Sequence, residues 1–383
     1  AQGILADTSS LALSCLQISL GPDSNNANPA GQEEAFASAL IRCEGGGAVE
    51  VNSLFVAMHT VHVPLVRAHC TGEVVVRSLA VQQVSSVGGS WQSHAHSLRP
   101  AVHISAAADV LISHSTFGGT ANVETADPAL WVVLQPLWVA TAPQCLQAAG
   151  VAGRLLVLGV GAEGCYSADT AGVLLEGPTI WADALHVRDS GGAASTGPAV
   201  SLRASDWFVT SGVHGVGNAA PLDCAGARVT AARAELHSWN VSQNTAGRSG
   251  AGLCVQSAAR VALSGDWVAA NNSALSGSGG ALWAAGVTLL ELGVTGSNLY
   301  FEDNSAASGG AIHAEASGLL AAGQLRLIRN TAADAGGAML FAAWASSLDL
   351  SSVALVCEDN TASYGGCFAF VAPGPGSPGF ASL

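Results

Sequence analysis

The apolar residues of the second half of this chain come in runs of four to seven, cut by glycine pairs, serine and asparagine. Inside the runs, polar and apolar positions alternate. "VALSGDWVA" (261–269) and "GQLRLIRN" (323–330) both follow a period of two, the pattern of a half-buried strand. An amphipathic helix of useful length needs roughly 10 to 15 unbroken residues with a period near 3.6. The glycine pairs leave no room for that, so the pattern predicts short strands joined by tight turns.

The turns repeat. Asn244 opens "NTAGRSGAGLCV", Asn272 "NSALSGSGGALW", Asn304 "NSAASGGAIH", Asn330 "NTAADAGGAML" and Asn360 "NTASYGGCFAF". The spacings between these asparagines are 28, 32, 26 and 30 residues. A fixed period of this size marks a solenoid, in which each unit is one coil and its strands stack about 4.8 Å from their equivalents. Equivalent residues then lie above one another. Asn244, Asn272, Asn304, Asn330 and Asn360 are expected to form a ladder of side-chain amides that satisfies donors and acceptors at a bend. The glycine pairs Gly279–Gly280, Gly309–Gly310, Gly336–Gly337 and Gly365–Gly366 are expected to supply positive φ for a sharp turn. The apolar residue that follows restarts a strand with its side chain inside.

With these residues on the page, a resemblance follows. "FEDNSAASGGAI" (301–312) resembles the FxxN and GGAI repeats of the chlamydial polymorphic membrane protein family, whose passengers form right-handed parallel β-helices. Similar repeats occur in large surface proteins of algae and other microbes. The resemblance covers about residues 240–371. Phe301 to Asn304 is the one full FxxN; Trp267, Ile328 and Cys357 are read as filling the matching slot before Asn272, Asn330 and Asn360. The family's C-terminal membrane barrel has no counterpart in this sequence.

The implied fold class is all-β, a single-stranded right-handed parallel β-helix with an N-terminal capping helix. Four regions are expected. Residues 1–43 hold a first strand and the cap, 44–239 irregular coils, 240–371 regular coils, and 372–383 a Pro/Gly linker-like tail. The cap is placed at Gln32 to Arg42, where Phe36, Leu40 and Ile41 would share a face and Glu33 and Glu34 sit in the first turn. It is similar to the cap of pectate-lyase-like β-helices, which closes the open core end and blocks strand addition. The tail "APGPGSPGF" lacks the donors a continued strand needs. That tail and the start at Ala1 lead us to expect a processed product or a piece of a longer chain.

Charge narrows the function. Charged residues are only 10% of the 383, every basic side chain is Arg, and 27 acids against 13 Arg leave a net charge of −14. Such a surface makes a poor nucleic-acid partner. The longest charge-free run, Pro128 to Gly153, is broken by prolines and glutamines and reads as buried strands rather than a membrane span. The sequons Asn240-Val241-Ser242 and Asn271-Asn272-Ser273 suit a glycosylated extracellular protein. Nine cysteines point to an oxidising compartment. Cys43 with Cys70 and Cys224 with Cys254 would bridge neighbouring coils, while Cys145 with Cys165 and Cys357 with Cys367 would close local loops, buried free thiols being the alternative. Cys15 is left over.

No catalytic constellation stands out. His59, His62, His69, His94 and His96 lack HExxH or CxxC spacing, so no metal and no cofactor is expected. "SGVHGVG" around His214 lacks the paired acids that polygalacturonase-like hydrolysis needs. Glu302, Asp303, Glu358 and Asp359 read as solvated corner acids or weak calcium contacts, and the nine tryptophans as core or coil-stacking residues rather than a sugar platform. The chain therefore reads as a non-catalytic surface scaffold, stalk or adhesin with a protein or glycan partner. The alternatives are a pectin-lyase-like polysaccharide lyase or hydrolase and a filament subunit that stacks end to end.

Overall fold

The computed structural model describes residues 4–6, 10–14, 17–20, 41–45, 48–52, 55–58, 66–70, 73–78, 80–83, 102–106, 109–118, 121–125, 131–140, 145–165, 171–191, 197–342, 347–372 and 379–382. These residues form strands and turns, with no α-helix among them. They divide into two compact units, Ala1–Cys165 with Leu175–Gly177, and Tyr166–Leu174 with Pro178–Leu383.

In the first unit, Ile4–Ala6, Ile41–Gly45, Val66–Cys70, Val102–Ala106, Ala121–Thr125 and Leu146–Val151 pair in that order, always parallel. A second series runs Ser10–Ser14, Ala48–Asn52, Val74–Arg77, Val110–Gly118, Trp131–Ala140 and Arg154–Leu158, again parallel. Parallel pairing of strands close in sequence is what a coiling chain produces. Its core is columnar: Val51, Val76, Ile112, Leu134 and Val157 face one another in turn and are all fully buried. Each such aliphatic side chain contributes roughly 1.5–3 kcal/mol by leaving water.

The second unit repeats the device with more uniform coils. Val200, Ala227, Leu253, Leu282, Ile312, Met339 and Phe368 are successive register partners, 27, 26, 29, 30, 27 and 29 residues apart. Phe208, Ala234, Val261, Leu290 and Leu319 form one buried column. In another, the indoles of Trp239 and Trp267 stack at 5.5 Å and 2°. Each buried indole N–H finds an acceptor, Thr210 Oγ1 at 2.6 Å for Trp239 and the Leu236 carbonyl at 3.0 Å for Trp267, as burial of that group requires. A small separate sheet follows the corner: Ala219–Ala220, Thr245–Ala246, Ser273–Ala274, Ser305–Ser308 and Thr331–Ala335.

Three expectations need correction. Residues 32–40 of the expected capping helix lie outside the described residues, but its last two, Ile41 and Arg42, open the strand Ile41–Gly45 instead. Parallel pairing on both sides of that strand outweighs the helical spacing of Leu40 and Ile41. The tail does not stay out of the sheet: Gly379–Ser382 runs antiparallel to Phe368–Ala372. Pro373, Pro375 and Pro378 all precede this strand, so no proline has to donate within it. The slot three residues before each asparagine holds Val241, Ala269, Phe301, Leu327 and Cys357, which face one another in order. Trp267 instead faces Leu299, and Ile328 faces Glu302. Ile328 is one position out, and with a period of two that moves a side chain to the other set.

Candidate functional site

The corner of the second unit is built the same way in every coil. The residue just before each column position adopts the left-handed conformation: Asp189, Gly217, Gln243, Asn271, Asp303, Arg329 and Asp359, with φ of 50, 70, 59, 56, 53, 52 and 54°. That single residue reverses the chain so that the next side chain points along the axis into the neighbouring coil. For an L-residue this costs about 1–2 kcal/mol, which the bonds of the next residue must offset.

Those bonds come from asparagine. Asn218, Asn244, Asn272 and Asn304 each donate Nδ2–H to Oδ1 of the asparagine in the following coil, at 3.0, 2.9, 2.9 and 2.9 Å, and Asn330 does so to Asn360 at 2.9 Å. The same Oδ1 also accepts the backbone N–H of the preceding asparagine, for example Asn304 N to Asn330 Oδ1 at 3.0 Å. The second Nδ2–H goes back to a carbonyl: Gly215, Val241, Ala269, Phe301 and Leu327 receive it from Asn244, Asn272, Asn304, Asn330 and Asn360 at 2.9, 2.8, 2.9, 3.0 and 2.7 Å. Each interior amide thus uses both donors and both lone pairs while fully buried. At the early end Ser190 takes over, its N–H donating to Asn218 Oδ1 at 3.0 Å. The sequence repeat does not reveal Asn218, since Ala219 follows it and Cys224-Ala225-Gly226 replaces the glycine pair. Its one legible signal is its distance of 26 residues from Asn244.

The glycine pairs divide their work. Gly279, Gly309, Gly336 and Gly365 have φ between 60 and 66° and make the turn. Their partners do not have positive φ, which corrects the reading of the pair as one device. A Cβ on Gly310 would lie 2.1 Å from the Gly337 carbonyl oxygen, and one on Gly337 2.1 Å from that of Gly366. Gly280 and Gly366 stand in the same row. Here glycine is needed because backbones of adjacent coils touch. Cys224 takes the turning position with φ 66° and forms a disulfide with Cys254 in the next coil, Cα atoms 5.3 Å apart. Cys145 joins Cys165 and Cys357 joins Cys367, at Cα separations of 5.6 and 6.1 Å. The side chains of Cys43 and Cys70, and all of Cys15, lie outside the described residues; by register Cys43 faces Ala68 and Cys70 faces Gly45.

The remaining candidates lie on the outside. Asn271 is exposed at a left-handed corner, whereas Asn240 is half-buried in a strand and its Oδ1 accepts Ser242 Oγ–H at 2.7 Å. Asp303 takes both Arg329 nitrogens, at 2.9 and 3.0 Å, and Glu302 shares the same guanidinium, so these two acids are spent on an ion pair. Glu358 and Asp359 occupy the equivalent corner two coils on, one beyond Ile328 and Arg329. His214 stacks on His186 with ring centroids 4.6 Å apart; burial, and then His186, hold its pKa below the ordinary 6.5. Trp131, Trp181 and Trp207 are exposed at 40, 58 and 44%, so these three are not core residues. They sit on outward positions of their strands, where the pleat turns every second side chain to solvent. His59, His62, His94 and His96 lie outside the described residues, as does the side chain of His69. Among the described residues no three His, Cys, Asp or Glu form a set that could hold a metal ion, and no helix is long and apolar enough to cross a membrane.

No curated protein and no solved structure gives a significant match to the chain. Part of one coil does match a known family: residues 298–315, which carry the Phe301 slot, the Asp303–Asn304 corner and the Gly309–Gly310 pair, are similar to the Chlamydia polymorphic membrane protein repeat.

Proposed function

We propose that this chain is a non-catalytic module of an extracellular or cell-surface protein, a scaffold, stalk or adhesin that displays its strand faces to a protein or glycan partner. The observation that carries this reading is the asparagine column. It invests every amide in joining coil to coil, and an amide neither titrates nor attacks, so its service is mechanical. Three disulfides add support, because such bonds persist outside reducing compartments. The similarity of part of one coil to a repeat of membrane proteins points the same way. In this reading Asn271, and less readily Asn240, accept glycans.

Differential alkylation of the protein isolated from its native cells tests the location. Cys145, Cys165, Cys224, Cys254, Cys357 and Cys367 are expected to resist alkylation until reduced; free labelling would remove the extracellular assignment. Incubation with acidic polysaccharides tests the lack of catalysis. No reducing or unsaturated sugar ends should appear, and steady turnover would favour the lyase or hydrolase reading instead.

A further inference from the structure

The positive charge of this acidic chain is concentrated. Between residues 201 and 260 there are five Arg (203, 228, 233, 248, 260) and three acids (Asp206, Asp223, Glu235), a net of +2, while the other 8 Arg and 24 acids sum to −16. Three of these arginines gather beside the Cys224–Cys254 disulfide. Ser201 faces Arg228 across neighbouring strands, and Arg203 faces Thr230 two positions on. Arg203 and Arg228 therefore share one outer face as diagonal neighbours, within reach of long side chains. Arg248 lies 3.8 Å from Asp223, whose Oδ1 is also held by the Ser249 N–H at 2.9 Å.

Two features of this cluster are unsatisfied. Ser201 is 2% exposed and its hydroxyl has no hydrogen-bond partner. Arg228 is half-buried, and among the described residues its guanidinium makes one hydrogen bond, to Cys224 Sγ at 3.4 Å, a weak acceptor. Arg203 makes no ion pair among the described residues. Burial draws the Arg228 pKa below its ordinary value; Asp223 opposes that and Arg203 adds to it. A buried hydroxyl without a partner and two guanidinium groups on one strand face, neither of them in an ion pair among the described residues, lack the anion that would complete them.

We propose that Ser201, Arg203 and Arg228, with Arg248 at the rim, form a binding site for a tetrahedral oxyanion, a sulfate or phosphate group that is free or pendant on a larger ligand. Two guanidinium forks and a hydroxyl on one strand face offer more than two donors, which suits four oxygens better than two. Nothing in this depends on the surface-module reading.

Isothermal titration of the whole chain at low ionic strength, with sodium sulfate, sodium phosphate and sodium acetate, tests the site directly. Thermal shifts are unsuitable, because sulfate stabilises proteins by exclusion from the surface. Saturable one-to-one binding of sulfate or phosphate is expected, about tenfold tighter than acetate. Arg203→Gln, at an exposed position, and Arg228→Lys, which keeps the charge but loses the fork, should each weaken it by about tenfold; Ser201→Ala should weaken it roughly threefold. Arg326→Gln should change nothing. A sulfated oligosaccharide that binds tenfold tighter than the ion would identify a pendant group; equal affinity would identify the free ion. No saturable heat, acetate binding as tight as sulfate, or affinity unmoved by Arg203→Gln and Arg228→Lys would each overturn the proposal.

Discussion

The two units have the same kind of core and differ at a corner. Both stack aliphatic side chains in buried columns, Val51 to Val157 in the first and Phe208 to Leu319 in the second. Yet the coil lengths diverge. In the first unit the register partners Ile4, Ile41, Val66, Val102, Ala121 and Leu146 are 37, 25, 36, 19 and 25 residues apart. In the second the range is 26 to 30. Hydrophobic stacking is tolerant, since any coil that returns an apolar residue to its column is satisfied and the excess chain loops outside. An asparagine amide is not tolerant. Four directional bonds to the two neighbouring coils fix where the corner must fall, and the length of each coil follows.

The sharpest way to break that difference is to change one amide. Asn304→Asp keeps the acceptor but sets a second oxygen against Asn330 Oδ1 and the Ala269 carbonyl, both acceptors, in a fully buried place. Its cost should be about 4 kcal/mol or more in guanidinium unfolding near neutral pH. It should shrink in acid, where the protonated carboxyl can donate. Asn304→Ala, which leaves the preceding coil unpaired, should cost about 2–3 kcal/mol.

Next is the covalent tie. Replacing Cys224 and Cys254 by alanine frees a 30-residue loop in the unfolded chain and should cost about 3–4 kcal/mol. Cys224→Gly with Cys254→Ala should recover about 1 kcal/mol of that, because φ 66° is strained for alanine and not for glycine. An equal loss in both variants would mean that this corner bears no strain.

Contact between coils can be separated from turn geometry with two glycines. Gly310→Ala drives a Cβ into the Gly337 oxygen and should cost about 2–3 kcal/mol. Gly296→Ala meets nothing within 4 Å, and only its φ of 87° opposes it, so about 1 kcal/mol is expected. Similar values would show that coil contact is not what selects Gly310.

The smallest effect is pH dependence at His214. Its pKa is lowered on folding, so the unfolded chain binds the proton more readily. The stability it contributes is complete above its ordinary 6.5 and is lost as the pH falls below that value. His214→Gln should flatten the decline of the unfolding midpoint as the pH falls below 6.5; an unchanged slope would place the acid sensitivity elsewhere.

What the sequence disclosed follows the same division. Asn244 to Asn360 were legible because a directional motif leaves identical letters at nearly fixed spacing. Asn218 and Ser190 were not, because one bonds like the rest without the glycine pair and the other joins the column through its backbone N–H. In the first unit the column residues are Val, Ile and Leu, interchangeable to a hydrophobic core, so strands could be read there but their register could not. Ile41 shows the limit: two adjacent apolar residues suit a helix face as well as a strand end, and only its partners Ile4 and Val66 decide.

Hydrogen exchange of the asparagine side-chain amides, followed by NMR, probes the column most directly. If the amides lock coil to coil, Nδ2–H of Asn244, Asn272, Asn304 and Asn330 will exchange as slowly as the backbone amides of the strands around them, while that of exposed Asn271 exchanges at once. Exchange of the four as fast as that of Asn271 would contradict the account.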